Sequence, residues 1–283
     1  MEQIKPIDIL SMTSLPNNTP FDDEYYDDDG YIRCSTCHTR RRSDEHLVIR
    51  CLCQRDEYEK QQLEVFRQKQ EHIRRVNMIS ELREKSLLGQ RYSNSAFENT
   101  EIVSEQFKNV FTRCRNYCNI ADEVLRNGYG IYIFGNCGTG KTHLAACMCN
   151  ELINQYQKCM FTDISNITRS IMATFNNFSN QDAATVIRQF IDVDFLVIDD
   201  IGVNNFKKDN GDNFTQDKLG EIINERYSLR KPTIFTSNYS PKQLIEERGI
   251  KEKTVDRIVE MSSVILQLEG SSYRHKGRGK TPF

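Results

Sequence analysis

The chain reads as an α/β protein built on a central parallel sheet, preceded by a small cysteine module and a long helix. Three observations predict this. A complete phosphate-loop pattern, Gly135-Asn136-Cys137-Gly138-Thr139-Gly140-Lys141-Thr142, stands between an apolar strand and a helix. Strand-like and helix-like segments alternate on either side of it, as in a parallel sheet covered on both faces. An apolar run, Phe195-Leu196-Val197-Ile198, ends in Asp199 and Asp200. Buried parallel strands supply such runs, and their C-terminal ends are where such sheets place ligands.

Composition narrows the setting. The 283 residues allow one large domain or two smaller ones. Mean hydropathy is -0.62, and no apolar run approaches the ~20 residues that span a bilayer. The N-terminus, Met1-Glu2-Gln3-Ile4-Lys5-Pro6, lacks the basic-then-apolar layout of a signal peptide. A cytoplasmic protein without a membrane partner is expected. Its ten cysteines should then be thiols or metal ligands, not disulfides. The net charge of -2 gives no global attraction to nucleic acid, so any such contact must come from local basic patches.

Residues 1–30 are polar, with Pro6, Pro16 and Pro20 and an acidic cluster from Asp22 to Asp29. They read as a flexible arm whose charge serves solubility, the sharper alternative being a tail that docks a basic partner. Residues 31–90 hold the cysteine module and its helix. Cys34-Ser35-Thr36-Cys37 and Cys51-Leu52-Cys53 are separated by thirteen residues. Four thiolates on two short loops suit tetrahedral zinc, and a module this small needs such a staple. The second pair is spaced by one residue rather than two to four, and His38 could replace one ligand. Free or redox-active thiols are the alternative. From Arg55 to Leu88, Leu63, Phe66, Ile73, Val76, Ile79 and Leu82 make a narrow apolar stripe on a charged helix. The stripe serves either packing on the cysteine module or binding a partner's helix. Gly89 to Asn99 breaks the pattern and reads as a linker.

Residues 91–283 form the α/β domain, ending in a basic tail. Glu105 to Asn127 is an amphipathic helix. Strands are expected at Gly130–Phe134, Cys159–Asp163, Phe195–Asp199, Thr233–Thr236 and Val264–Leu268, with the phosphate-loop helix from Thr142 to Gln155. The glycines let backbone N–H groups turn toward nucleotide phosphates. Lys141 would reach the β and γ phosphates, and the Thr142 hydroxyl would ligate Mg²⁺. His143 follows in the first helical turn and joins this nucleotide-binding set. Asp199 is the expected Mg²⁺-side carboxylate, and Asp200 would orient or deprotonate the attacking water. Asn238 closes the next strand beside the γ-phosphate, or else caps a helix before Pro241, a duty that Ser237 and Ser240 could also perform. Cys114, Cys118, Cys147, Cys149 and Cys159 fall in core segments, and Cys137 in the phosphate loop.

With these pieces in order, the chain resembles the AAA+ ATPases. More narrowly it resembles the DnaC/DnaI-type bacterial helicase loaders and the related IstB transposition ATPases. The resemblance rests on Gly130-Ile131-Tyr132-Ile133-Phe134-Gly135 running into Gly140-Lys141-Thr142-His143-Leu144-Ala145, and on Val197-Ile198-Asp199-Asp200-Ile201-Gly202. It extends through Ile222-Ile223-Asn224-Glu225-Arg226-Tyr227, Thr233-Ile234-Phe235-Thr236-Ser237-Asn238, Asp256-Arg257-Ile258 and Ser272-Tyr273-Arg274. It implies that Asn238 is the sensor-1 residue. Arg257 would be an arginine finger reaching a neighbouring subunit's ATP, with Arg226 and Arg248 as rivals and an ion pair to Glu252 or Glu260 as the plain alternative. Arg274 would be the sensor-2 arginine. With only nine residues after Arg274, no separate helical lid is expected.

The resemblance also implies a segment facing single-stranded DNA, about Ile164 to Phe178. There Arg169 would meet phosphates with Lys207 and Lys208, and Phe175 would stack on a base or simply pack in the core. A cysteine-rich zinc domain occurs at the N-terminus of several such proteins, where it recruits the helicase. The implied function is ATP-dependent loading of a DnaB-type replicative helicase hexamer onto single-stranded DNA, with self-association through the AAA+ domain. An IstB-like transposition helper and a nucleotide-switched adaptor with little turnover are the rivals.

Overall fold

The computed structural model describes residues 20, 22, 24–43, 48–49, 52–175, 182–204, 206, 213–270 and 272. They divide into two compact units, with the division between Arg75 and Val76. No helix among the described residues is long and apolar enough to cross a membrane.

In the first unit, β1 (Glu24–Tyr26) pairs antiparallel with β2 (Ile32–Cys34), and β3 (Arg42–Ser43) with β4 (Val48–Ile49). Part of the expected acidic arm is therefore structured. Asp27 accepts from the N–H groups of Asp29 (3.1 Å) and Tyr31 (2.7 Å), closing the β1–β2 turn, and pairs with Arg33. The Arg33 hydrogen bond, ahead of those backbone donors, holds the Asp27 carboxyl below its usual range. Glu24 forms a buried ion pair with Arg41 at 2.8 Å. Carboxylates that look like solvated charge in sequence are here the polar framework of a hairpin. The long helix α1 (Leu52–Lys85) follows. Along its stripe Leu63, Phe66, Ile73 and Val76 are exposed, whereas Ile79 and Leu82 pack on the core of the second unit.

In the second unit a five-stranded parallel sheet has the order β6-β7-β8-β5-β9. Its strands are β5 (Gly130–Phe134), β6 (Cys159–Asp163), β7 (Phe195–Ile201), β8 (Thr233–Ser237) and β9 (Ser262–Gln267). Side chains alternate between faces. Ile131, Ile133, Phe195, Val197 and Ile234 pack toward α2 (Glu105–Asn119), α3 (Ala121–Asn127) and α4 (Lys141–Asn154). Tyr132, Leu196, Ile198 and Phe235 pack toward α5 (Ile164–Ala173), α6 (Ala183–Asp192), α7 (Asn213–Ser228) and α9 (Glu252–Met261). Both faces are apolar, which is why these strands read as unbroken hydrophobic runs. Each such Leu, Ile or Phe contributes roughly 1.5–3 kcal/mol by leaving water.

Two expectations change. The single helix from Glu105 to Asn127 is broken at Ile120, whose φ of -110° and ψ of 31° leave the helical region. Periodicity persists through the break because Ala121 and Val124 still face the core. The supposed linker is part of the second unit. Gln90–Tyr92 and Phe97–Asn99 form 3₁₀ turns, and Ser95 and Phe97 are buried. Asn150 of α4 donates to the carbonyls of Tyr92 (3.0 Å) and Ser95 (2.8 Å). Such a segment has no period to read, because tertiary donors satisfy its backbone.

Candidate active site

The phosphate loop leaves β5 at Gly135 and enters α4 through Gly140. Gly135, Gly138 and Gly140 all have positive φ, at 142°, 80° and 100°. At Gly135 there is a second constraint: a Cβ would lie 2.0 Å from the Leu268 carbonyl oxygen just after β9. At Gly138 a Cβ would lie 2.2 Å from Ser272 Oγ. The loop is thus pressed against the segment that follows β9 on one side and opens toward a cleft on the other.

That cleft, of about 460 Å³, is lined by Cys137, Gly138, Gly140, Lys141, Thr142, His143, Asp200 and Asn238. Arg91, Tyr92, Asn94 and Ser95 form a further wall, which sequence reasoning missed by treating them as a linker. Lys141 is buried and donates to the carbonyls of Gly135 (2.8 Å) and Asn136 (2.7 Å). Thr139 Oγ1 donates to Asn136 O at 2.9 Å. Cys137 is exposed. His143 turns to Thr100, with Nε2 2.9 Å from Thr100 Oγ1, and burial lowers its pKa.

Across the cleft, the β7–β8 register breaks between Ile198 and Ile201. Asp199 and Asp200 occupy that bulge. Burial pushes the Asp199 carboxyl up to about 6, aided by the Asp200 charge, while the Thr236 and Thr142 hydroxyls pull it back. The phosphate-loop threonine and this carboxylate are therefore neighbours, as a shared cation requires. Asp200 has a left-handed φ of 56°. Its N–H donates to Thr236 Oγ1 at 2.9 Å, and its Oδ1 accepts from Asn238 Nδ2 at 3.1 Å. Strain of this kind in a non-glycine residue concentrates at functional sites.

Asn238 does not cap the following helix. Ser240 caps α8 (Pro241–Glu246) through a capping box with Gln243. Ser237 Oγ donates to Ile201 O and accepts from Tyr239 N. Asn238 is left to Asp200. The chemistry of this donor set fits a Mg²⁺-bound nucleoside triphosphate: a buried lysine, a helix N-terminus, and a hydroxyl beside a carboxylate.

The three rival arginines separate. Arg226 is fully buried, its guanidinium donating to five backbone carbonyls and to Thr233 Oγ1. It cannot reach another chain. Arg248 donates to the carbonyls of Gly202 and Val203, holding the loop after Asp200. Arg257 lies on α9, pairs with Glu260 and stacks 4.3 Å above the Tyr227 ring. Arg274, Lys207, Lys208 and Phe178 lie outside the described residues. Arg169 is exposed on α5. Phe175 is 62% exposed and meets only the edge of Phe214 among described rings, so it is not a core residue.

In the cysteine module, Cys34 and Cys37 flank a tight turn. Thr36 N–H donates to Cys34 Sγ at 3.4 Å, and Cys34 N–H donates to Thr39 O at 3.1 Å. Cys34 is buried and Cys37 exposed. An N–H aimed at sulfur suits a metal-bound thiolate. His38 Nδ1 is engaged by the Tyr25 hydroxyl at 3.0 Å. Cys51 lies outside the described residues, and Cys53 is described only as backbone in the first turn of α1. No group of three or more metal-ligating side chains is found among the described residues, so the expected four-cysteine zinc centre is not seen. The cysteines at 114, 118, 147, 149 and 159 are buried thiols.

The model of the family described as IstB-like ATP binding protein matches residues 120–281. The replicative helicase loader DnaC of Escherichia coli (strain K12) is 29% identical over 190 residues, which is 67% of this chain and 73% of that protein. The replicative helicase loader DnaI of Bacillus subtilis (strain 168) is 25% identical over 192 residues, 64% of this chain and 58% of that one. The crystal structure of the DnaC helicase loader is similar with a TM-score of 0.54 at 21% identity, covering 63% of this chain and 99% of that one. At that identity the likeness shows the fold.

Proposed function

The chain belongs to the family of IstB-like ATP binding proteins and is an AAA+ ATPase; from that premise we propose that it loads a replicative DNA helicase onto single-stranded DNA. The observation that carries the enzymatic half is the Asp199–Asp200 bulge facing the phosphate loop, with Asn238 bonded to Asp200. The loader half is supported by the names of the similar proteins, DnaC and DnaI.

Magnesium bound with the nucleotide supplies charge neutralisation at the phosphates. Thr142 and Asp199 would hold it. Lys141 would exchange the Gly135 and Asn136 carbonyls for phosphate oxygens. Asp200 would accept the proton of the attacking water, with Asn238 keeping its carboxylate turned inward. Arg257 would leave Glu260 for a neighbouring subunit's nucleotide, which makes turnover depend on assembly. Arg274 would contact nucleotide within its own subunit. Arg169, Phe175, Lys207 and Lys208 would meet DNA. Cys34, Cys37, Cys51 and Cys53 would hold a structural zinc, and that module with α1 would take the helicase hexamer. The setting would be the cytoplasm.

The test is size-resolved binding to the host's replicative helicase, with ATP and after zinc chelation. A stable complex that is lost on chelation supports loading through the cysteine module. Absence of a complex in every nucleotide state, beside a DNA-stimulated ATPase, moves the assignment to transposition.

A further inference from the structure

Thr236 lies in a stretch that carries the resemblance but was given no role there, yet its one hydroxyl touches both acidic residues of the site. Thr236 is fully buried in β8. Its Oγ1 accepts from the Asp200 N–H at 2.9 Å and donates to Asp199 Oδ1 at 2.5 Å. The direction of these bonds is fixed. A peptide N–H can only donate, so the hydroxyl accepts there. Its single proton then goes to the carboxylate.

The register break explains why a side chain is needed. Between Ile198 and Ile201 the β7–β8 ladder is interrupted, and Asp200 takes a φ of 56°. An L-residue in that region costs on the order of 1–2 kcal/mol. In the bulge the Asp200 N–H bonds to a side chain where a regular ladder would offer a carbonyl. The same hydroxyl occupies one oxygen of Asp199, a carboxylate that the Thr142 hydroxyl also reaches.

We infer that Thr236 is a positioning residue: its hydroxyl sets the metal-side carboxylate and the water-side carboxylate in one arrangement. This deepens the assignment of Asp199 and Asp200 and rests on it.

The experiment compares Thr236→Val, Thr236→Ala and Thr236→Ser in the full chain. Valine keeps volume and branching but lacks the hydroxyl. Serine keeps the hydroxyl. Alanine stands in where valine fails to fold, since it places no methyl beside the carboxylate. Three quantities are read: fluorescent-ATP affinity in EDTA, the Mg²⁺ concentration giving half of the Mg²⁺-dependent gain in that affinity, and turnover. Loss of the hydroxyl should raise the half-saturating Mg²⁺ and lower turnover, each by about tenfold or more, as loss of an outer-shell partner does. Affinity in EDTA should stay unchanged, and serine should restore both other values. A valine or alanine variant that matches wild type in Mg²⁺ dependence overturns the inference, as does a serine variant that fails alongside them. Asp199→Asn is the control. If it leaves Mg²⁺ dependence intact, the assignment of Asp199 fails. If it removes Mg²⁺ dependence while Thr236→Val does not, only the inference fails.

Discussion

Asn238 Nδ2 donates to Asp200 Oδ1 at 3.1 Å, tying the end of β8 to the bulge in β7. The bond reaches a residue whose backbone is already left-handed and whose N–H is held by the same strand through Thr236. Asp200 is thus fixed at two points, by Thr236 in β8 and by Asn238 just after it. One carboxylate oxygen is committed to Asn238.

If Asp200 serves as the base, Asp200→Asn should lower turnover by about 10²–10⁴-fold, the usual contribution of a positioned acid or base. Nucleotide affinity should change little, because Lys141 and the loop are untouched. Asn238→Ala should lose less, since the carboxylate survives. Steady-state turnover and fluorescent-nucleotide titration decide the matter. Equal losses in affinity and turnover would place Asp200 in binding instead.

Gly135 leaves no room for a side chain, because the obstructing atom is backbone: Leu268 O at 2.0 Å from a Cβ. The φ of 142° adds strain. Gly135→Ala should therefore cost about 1–3 kcal/mol in denaturant unfolding, as overpacking does. It should also abolish nucleotide binding, because the loop and the segment after β9 must part. Lys141→Ala should abolish binding as well, but without the Gly135 clash. A Gly135→Ala protein that binds ATP normally would show that the loop accommodates the methyl.

Asp199 gives a pH signature. Burial raises its folded pKa from 3.8 to about 6. Between those values the unfolded chain has released the proton and the folded chain still holds it. Stability from this residue is therefore present below pH 4 and falls as pH rises to 6, by up to about 3 kcal/mol. In EDTA, Asp199→Asn should be more stable than wild type at pH 7.5 and equal to it near pH 4. Thermal unfolding at the two pH values reads this directly. An unchanged difference between them would mean that Asp199 does not titrate as placed.

Much of the site was legible because its acids and its phosphate loop end apolar strands. The run Phe195–Ile198 carries a strong period-free hydrophobic signal, so Asp199 and Asp200 could be set at its C-terminal edge. Asn238 was legible by place, but its choice of partner was not. That depended on Ser240 taking the cap of α8, which three adjacent polar residues do not reveal. Arg91, Tyr92, Asn94 and Ser95 were hidden for a different reason. Short 3₁₀ turns held by Asn150 have neither a helical nor a strand period. Thr236 reads simply as a β-branched strand residue. Its role appears only when the ladder beside it breaks.

Arg226 and Arg257 show what burial decides and pattern does not. Both are helical arginines in motif-matching stretches, 31 positions apart. Arg226 is enclosed, and burial lowers its pKa to about 9. Its guanidinium takes up the carbonyls of Phe190 and Ile191 in the last turn of α6 and of Val193 just after it, then those of Asp194 and Pro232 just before β7 and β8. Methionine would match much of its length but leave those acceptors without donors, at about 1–3 kcal/mol for each that water cannot reach. Arg226→Met should therefore lose at least about 3 kcal/mol. Arg226→Lys should lose less, since three donors on one nitrogen cannot span the set that a planar fork spans. Arg257→Ala, at a half-exposed position, should leave unfolding nearly unchanged and lower only assembly-dependent turnover. Urea unfolding of the three proteins separates the roles. A stable Arg226→Met protein would mean that the α6–β7 corner satisfies its carbonyls by other means.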